Sequence, residues 1–234
     1  METAPDLEGY YAAYEWAANP AVQPPNRTEP YRAYKHAVEG NERFFDVPMN
    51  VLVIGTAGPN STKGYLAVLA DMGLKSGSTV LFIDKNDIPL ANTENNQIVE
   101  EYARRGIAVS FLRMNAMDMR TLNRGDFRLI MTHNLFKYTD LPEARRILDQ
   151  SAGVLASDGV MLHCLECFTL AAFRRRVGVG AGITRKYGVP VYIRSEREYS
   201  ALFRNTSLEV VRCGYGGTDR CVTFVLRHVQ AREC

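Results

Sequence analysis

The 234-residue chain is poor in tryptophan, histidine and cysteine, with one, four and five of each. No stretch approaches the ~20 consecutive apolar residues of a membrane-spanning helix, so no membrane association is expected. The opening METAPDLEGYY is acidic and polar and does not read as a secretory leader. The cysteines are odd in number and irregularly spaced. They point to free thiols in a reducing compartment and a cytoplasmic location. A lone C-x-x-C, Cys164 to Cys167, stands beside His163. A structural zinc would need a second ligand pair, and Cys213 and Cys221 lack the spacing to supply it, so no metal is expected. Charge of one sign is lacking too. The formal net charge is +2, whereas nucleic-acid binding usually goes with a concentrated basic patch and a pI above ~9. Nucleic acid is therefore not an expected partner. Internal repeats and low-complexity segments are absent.

What is present suits one sizeable domain, since apolar residues make up 46% and charged residues 23%. Residues 1–48 stand apart as an N-terminal helical cap or lid. They carry Tyr10, Tyr11, Tyr14, Trp16, Tyr31 and Tyr34, interrupted by Pro20, Pro24, Pro25 and Pro30. A helix is expected near Pro5–Ala18 and a second near Pro30–Phe45, broken between them by the prolines. Residues 49–234 form the main domain. Strands are expected at Val51–Ile54, Thr79–Ile83, Ile107–Leu112, Phe127–Thr132 and Gly159–Leu165. Helices are expected after Asn60, at Thr93–Arg105 and at Leu141–Ala152. Asn60, Ser61 and Thr62 are candidate N-caps. Alternation of this kind gives parallel pairing and a doubly wound α/β sheet with helices on both faces. The rhythm then breaks. Ser195 and Glu198 make a capping box for a helix through Phe203. Leu208–Arg212 and Cys221–Arg227 follow with no room for a helix between them, so an antiparallel hairpin is expected. The result is a seven-stranded sheet, mostly parallel, with an antiparallel last strand.

Open parallel sheets bind ligands beyond the carboxyl ends of their strands, where strand order reverses. After the first strand comes Gly55-Thr56-Ala57-Gly58, small residues that let backbone approach a ligand, followed by a helix N-terminus suited to a carboxylate. Asp84 and Lys85 follow the second strand, and a carboxylate there accepts two hydrogen bonds from a ribose diol. Asn115-Ala116 follow the third strand, where a base edge can be read. Thr132-His133-Asn134 end the fourth. Carboxylate, ribose and base contacts in this order describe an amino-acid nucleoside.

The arrangement resembles the class I S-adenosylmethionine-dependent methyltransferases, over roughly Asn50 to Val229. The stretch Leu155-Ala156-Ser157-Asp158-Gly159 looks like the turn that family places before its fifth strand. The resemblance implies S-adenosylmethionine as cofactor, held by Gly55, Thr56, Ala57, Gly58, Asp84, Lys85, Asn115, Ala116 and Thr132. Ala57 stands where a second glycine is usual, Val53 where an acid is usual, and Arg128 where a fourth-strand Asp is common. The implied reaction is methyl transfer to a hydroxyl or amine of a small molecule. His133 is the candidate general base, because its reference pKa of ~6.5 suits proton transfer near neutrality. Tyr14, Trp16, His133 and Tyr138 are candidate acceptor-binding residues. Arg174, Arg175, Arg176, Arg185, Lys186 and Arg194 make the stretch from 168 to 194 locally basic, in a region that often shapes the acceptor pocket. Other chemistry on the same fold stays open, as cyclase, aminopropyltransferase or non-catalytic partner subunit. Monomer and homodimer are both open.

Overall fold

The computed structural model describes residues 5–18, 42–56, 58–166, 183–186, 188–192, 194–204, 206–215 and 221–229. In chain order the elements are α1 (Leu7–Ala18), β1 (Asn50–Ile54), α2 (Pro59–Asp71), β2 (Thr79–Asp84), α3 (Glu94–Arg104), β3 (Ala108–Arg113), β4 (Phe127–His133), α4 (Leu141–Val154) and β5 (Leu155–Glu166). They continue with β6 (Ile183–Lys186), β7 (Val189–Tyr192), α5 (Glu196–Phe203), β8 (Leu208–Tyr215) and β9 (Cys221–His228). Short 3₁₀ turns cover Glu42–Phe45, Ala116–Leu122 and Leu135–Lys137.

The main sheet has seven strands in the order β3-β2-β1-β4-β5-β9-β8. Strands β1 to β5 pair in parallel. β9 inserts between β5 and β8, antiparallel to both. The doubly wound sheet with a terminal antiparallel hairpin is as the sequence implies.

Period-two alternation explains why helices cover both faces. Val51 and Val53 join Val80, Phe82, Leu129 and Met131 in one core, against Tyr65, Leu66 and Leu69 of α2 and Ile98 and Tyr102 of α3. Leu52 and Ile54 join Ile83, Ile130 and Met161 in the other, against Ile147 and Leu148 of α4 and Tyr199, Leu202 and Phe203 of α5. A strand that presents apolar groups to both sides has to be covered on both sides, and that requirement fixes β1 and β4 at the centre.

Local chemistry sets the element ends. Asp140 caps α4 and Ser195 caps α5, each in a reciprocal capping box with Glu143 and Glu198. Gly106 closes α3 with φ +74°. α2 differs from the expectation. Gly58, at φ 142°, is its N-cap, with Pro59 in the first turn and no side-chain cap. Asn60, Ser61 and Thr62 all lie inside the helix, because proline is pre-set for a first helical position.

Three other points differ. β5 begins at Leu155, ahead of the expected Gly159. Phe127 pairs with Leu155 while Leu129 pairs with Val160, so Ala156–Gly159 bulge out where a turn was expected. The basic stretch contains a separate antiparallel pair, β6 with β7. Pro190 is tolerated there because the ladder has only two strands. Of the expected helix Pro30–Phe45, only Glu42–Phe45 lies among the described residues, as a 3₁₀ turn. The basic side chains Arg174, Arg175 and Arg176 lie outside them.

Candidate functional site

Strand order reverses between β1 and β4, and a crevice opens there beyond their carboxyl ends. It holds a cavity of about 220 Å³. Gly55 and Thr56 reach it from the turn after β1, Asp84 and Lys85 from the end of β2, and Asn115 and Ala116 from the end of β3. His133 comes from the end of β4, and Tyr138 from the turn beyond it. Residues tens of positions apart thus line one wall, because parallel strands bring all their carboxyl ends to one edge.

Gly55 leaves β1 at φ +80°, a conformation that favours glycine. Its N–H still completes the ladder to the Ile83 carbonyl at 2.9 Å. A Cβ built there would point toward Leu135, another cavity residue, at 3.6 Å. The absent side chain therefore leaves room inside the crevice.

Asp84 is 7% exposed, at the floor. Its Oδ1 accepts from the Asn86 amide at 3.0 Å and from the Tyr11 hydroxyl at 3.1 Å. Asn86 Nδ2 donates in turn to the Tyr11 oxygen at 2.6 Å. Burial pushes the Asp84 carboxyl up to about 6, and these donors hold it back from going higher.

Asn115 opens the 3₁₀ turn, its Oδ1 accepting from the Met117 amide at 3.0 Å. Arg146 of α4 fixes that turn by donating to the Met117 carbonyl and to Asp118 Oδ1, both at 3.0 Å. Met114, Ala116, Met117 and Ile147 then supply apolar wall on this side. On the other side Arg194 donates to the Phe136 and Thr139 carbonyls. Its guanidinium lies over the rings of Tyr192 and Tyr199, 5.2 and 5.9 Å from their centroids. This ties the turn carrying Leu135, Tyr138 and Thr139 to α5 and β7.

Other expected residues stand differently. Thr132 is fully buried, with its hydroxyl on His163 Nδ1, and does not line the cavity. Gly58 caps α2, and its carbonyl accepts from the Thr62 amide and hydroxyl. The Thr56 hydroxyl is engaged with Thr62 at 3.0 Å, so that residue has its side chain committed to the turn. Ala57 and the side chains of Tyr14 and Trp16 lie outside what the structure describes. Arg128 sits at the amino end of β4, the end opposite His133, paired with Asp158 at 3.1 Å.

Several lining residues escape a strand-end reading. Tyr10 and Tyr11 come from α1, Ser61 and Tyr65 from α2, and Glu143 and Ile147 from α4. The Tyr10 ring meets Tyr11 and Tyr138 edge-on at 5.2 and 5.5 Å. For Glu143 and Ile147 a signal existed: they are one helical turn apart, at the capped start of the helix that comes after β4. Nothing local in the sequence marks Tyr10 and Tyr11 as lining the crevice.

Comparison with solved structures places the fold. The 1,6-didemethyltoxoflavin-N1-methyltransferase of Burkholderia thailandensis, solved with its substrate and S-adenosylhomocysteine, aligns with a TM-score of 0.65 over 97% of this chain and 92% of its own, at 14% identity. The magnesium protoporphyrin IX methyltransferase of Synechocystis PCC 6803, with S-adenosylhomocysteine bound, gives 0.62 over 95% of each chain at 13% identity. The mitomycin 7-O-methyltransferase MmcR gives 0.58 at 15% identity over 87% of this chain, which spans only 56% of that protein. The chain has the fold of these enzymes. No protein-family model and no curated protein matches it.

Proposed function

We propose that the crevice binds S-adenosylmethionine and that the protein transfers its methyl group to a hydroxyl or amine of a small molecule. The supporting observation is the meeting of Gly55, Asp84 and Asn115-Ala116 in one cavity at the switch point between β1 and β4. The residues suit the group. Asp84 offers a buried acceptor to the ribose diol. The apolar side chains around Ala116 flank a base. The turn at Gly55 gives the amino-acid end room beside the first turn of α2.

When bound, this cofactor supplies an electrophilic methyl on sulfonium. The chain's task is to align the acceptor, exclude water and take up a proton. On this reading His133, which lines the cavity with Tyr138 and Thr139, accepts that proton. Tyr10, Tyr11, Tyr65 and Tyr138 present aromatic surface, which attracts sulfonium and alkylammonium groups.

One feature supports a second reading. Val53 is fully buried in the core shared with α2 and α3, so no carboxylate stands there to meet the amino group of the methionine moiety. A nucleoside-binding protein of other chemistry would tolerate that loss. The two readings separate in two steps. A thermal-shift screen with S-adenosylmethionine, S-adenosylhomocysteine and NAD tests binding, since a ligand of the native state raises Tm. An acceptor panel assayed by mass spectrometry then tests methyl transfer. A shift with NAD alone overturns the first reading, and nucleoside binding with no methylated product across the panel favours the second.

A further inference from the structure

We propose that Tyr11 and a ribose hydroxyl compete for the same carboxylate oxygen, Asp84 Oδ1, so that Tyr11 sets how tightly the site holds any nucleoside. The inference rests on the nucleoside reading of the crevice and adds to it a residue that opposes binding.

The argument is one of lone pairs. Each carboxylate oxygen offers about two hydrogen-bonding directions. At Oδ1 both are taken, one by the Asn86 amide at 3.0 Å and one by the Tyr11 hydroxyl at 3.1 Å. A diol that engages both oxygens of the carboxylate therefore has to displace one donor. The Asn86 N–H is backbone, two residues along the chain from Asp84, and is fixed by the turn. Tyr11 belongs to α1, which reaches the crevice from outside the sheet, 73 positions away in sequence. Tyr11 is the donor that yields.

Two further observations agree. The Tyr11 oxygen is held from behind by Asn86 Nδ2 at 2.6 Å, which leaves its proton directed at Asp84. With Tyr10 and Tyr11 in its wall the cavity measures about 220 Å³, below the ~300–1,000 Å³ usual for pockets that enclose small ligands. Withdrawal of Tyr11 enlarges the space at the point where the diol needs it.

The consequence runs against the usual effect of removing a polar group from a binding site. Tyr11→Phe keeps the ring and its edge contact with Tyr10 but deletes the competing donor. Calorimetric titration with S-adenosylhomocysteine is expected to give a Kd roughly three- to tenfold lower for this variant than for the wild type, the scale of one net hydrogen bond. If the wild type binds and Tyr11→Phe binds equally or more weakly, the hydroxyl is inert or a ligand contact and the competition is overturned. If neither protein binds, the nucleoside reading itself falls and takes the inference with it.

Discussion

At the scale of single residues, Asp84 has two opposed effects. Its carboxyl is pushed up to about 6 by burial, so the folded state binds a proton more readily than the unfolded chain. Holding it ionised at neutral pH therefore costs stability, and that cost grows as pH rises from the ordinary Asp value through 6. Asp84→Asn is expected to raise Tm at pH 7.5 by a few degrees, on the scale of roughly 2–4 °C per kcal/mol for a chain this size. A scanning calorimeter tests this, and a lower Tm refutes it. Asp84→Ala should weaken S-adenosylhomocysteine binding by about 1–3 kcal/mol, the scale for losing charge-assisted hydrogen bonds. For the same reason wild-type affinity should fall as pH drops below about 6, where Asp84 gains its proton. His133→Ala should lower turnover on an identified acceptor by about a hundredfold with Kd for S-adenosylhomocysteine unchanged. Equal turnover would return His133 to a lining role. Asp84, Gly55 and Asn115 were legible because a strand end and a residue type suffice to place them. Thr132 was not, because β4 runs one residue beyond the expected end, to His133, and alternation then turns Thr132 inward to His163 while His133 lines the cavity.

At the scale of elements, the wall around Tyr138 depends on Arg194. One guanidinium holds two carbonyls of the turn after β4 and lies over Tyr192 and Tyr199. Arg194→Ala leaves both carbonyls without this donor, and urea unfolding should show a loss of about 1–3 kcal/mol. Arg194→Lys keeps the charge but not the planar fork and should recover only part of it; full recovery would show that the fork is immaterial. The residue was visible in the sequence only as one member of a basic stretch. The β6–β7 hairpin that delivers it was equally hidden, although Gly188, at φ +76°, marks its turn. The long elements were legible for the opposite reason. Buried strands and capped helices repeat their signal over many residues. The packing of α1 against α2 repeats no such signal.

At the scale of the whole molecule, acid should open the α5 face of the sheet. His163 is completely buried, with its ring 4.3 Å from that of Phe136 and 6.1 Å from that of Phe203. Burial first, and the proximity of His133 second, keep its imidazole neutral well below the ordinary histidine range. Below about pH 6.5 the unfolded chain takes up a proton that the folded protein refuses, so stability falls as pH falls. Between pH 7 and pH 5 this loss opposes the gain from Asp84, which takes up its proton in the same window, so Tm of His163→Phe should fall less, or rise more, toward pH 5 than that of the wild type; an unaltered slope would locate the acid sensitivity elsewhere. The seven-stranded layout was readable because its central strands carry apolar groups to both sides, whereas the buried His163 was not. The central pairing has a kinetic consequence. Ile54 lies beside Thr132, so the two halves of the crevice meet only once a loop of almost eighty intervening residues has closed. A chain with only β1 to β3 paired would hold Gly55, Asp84 and Asn115 but have no opposite bank. Recognition of a nucleoside should therefore emerge late in refolding, and ligand should slow unfolding of the native protein without hastening the first steps of assembly from the denatured chain.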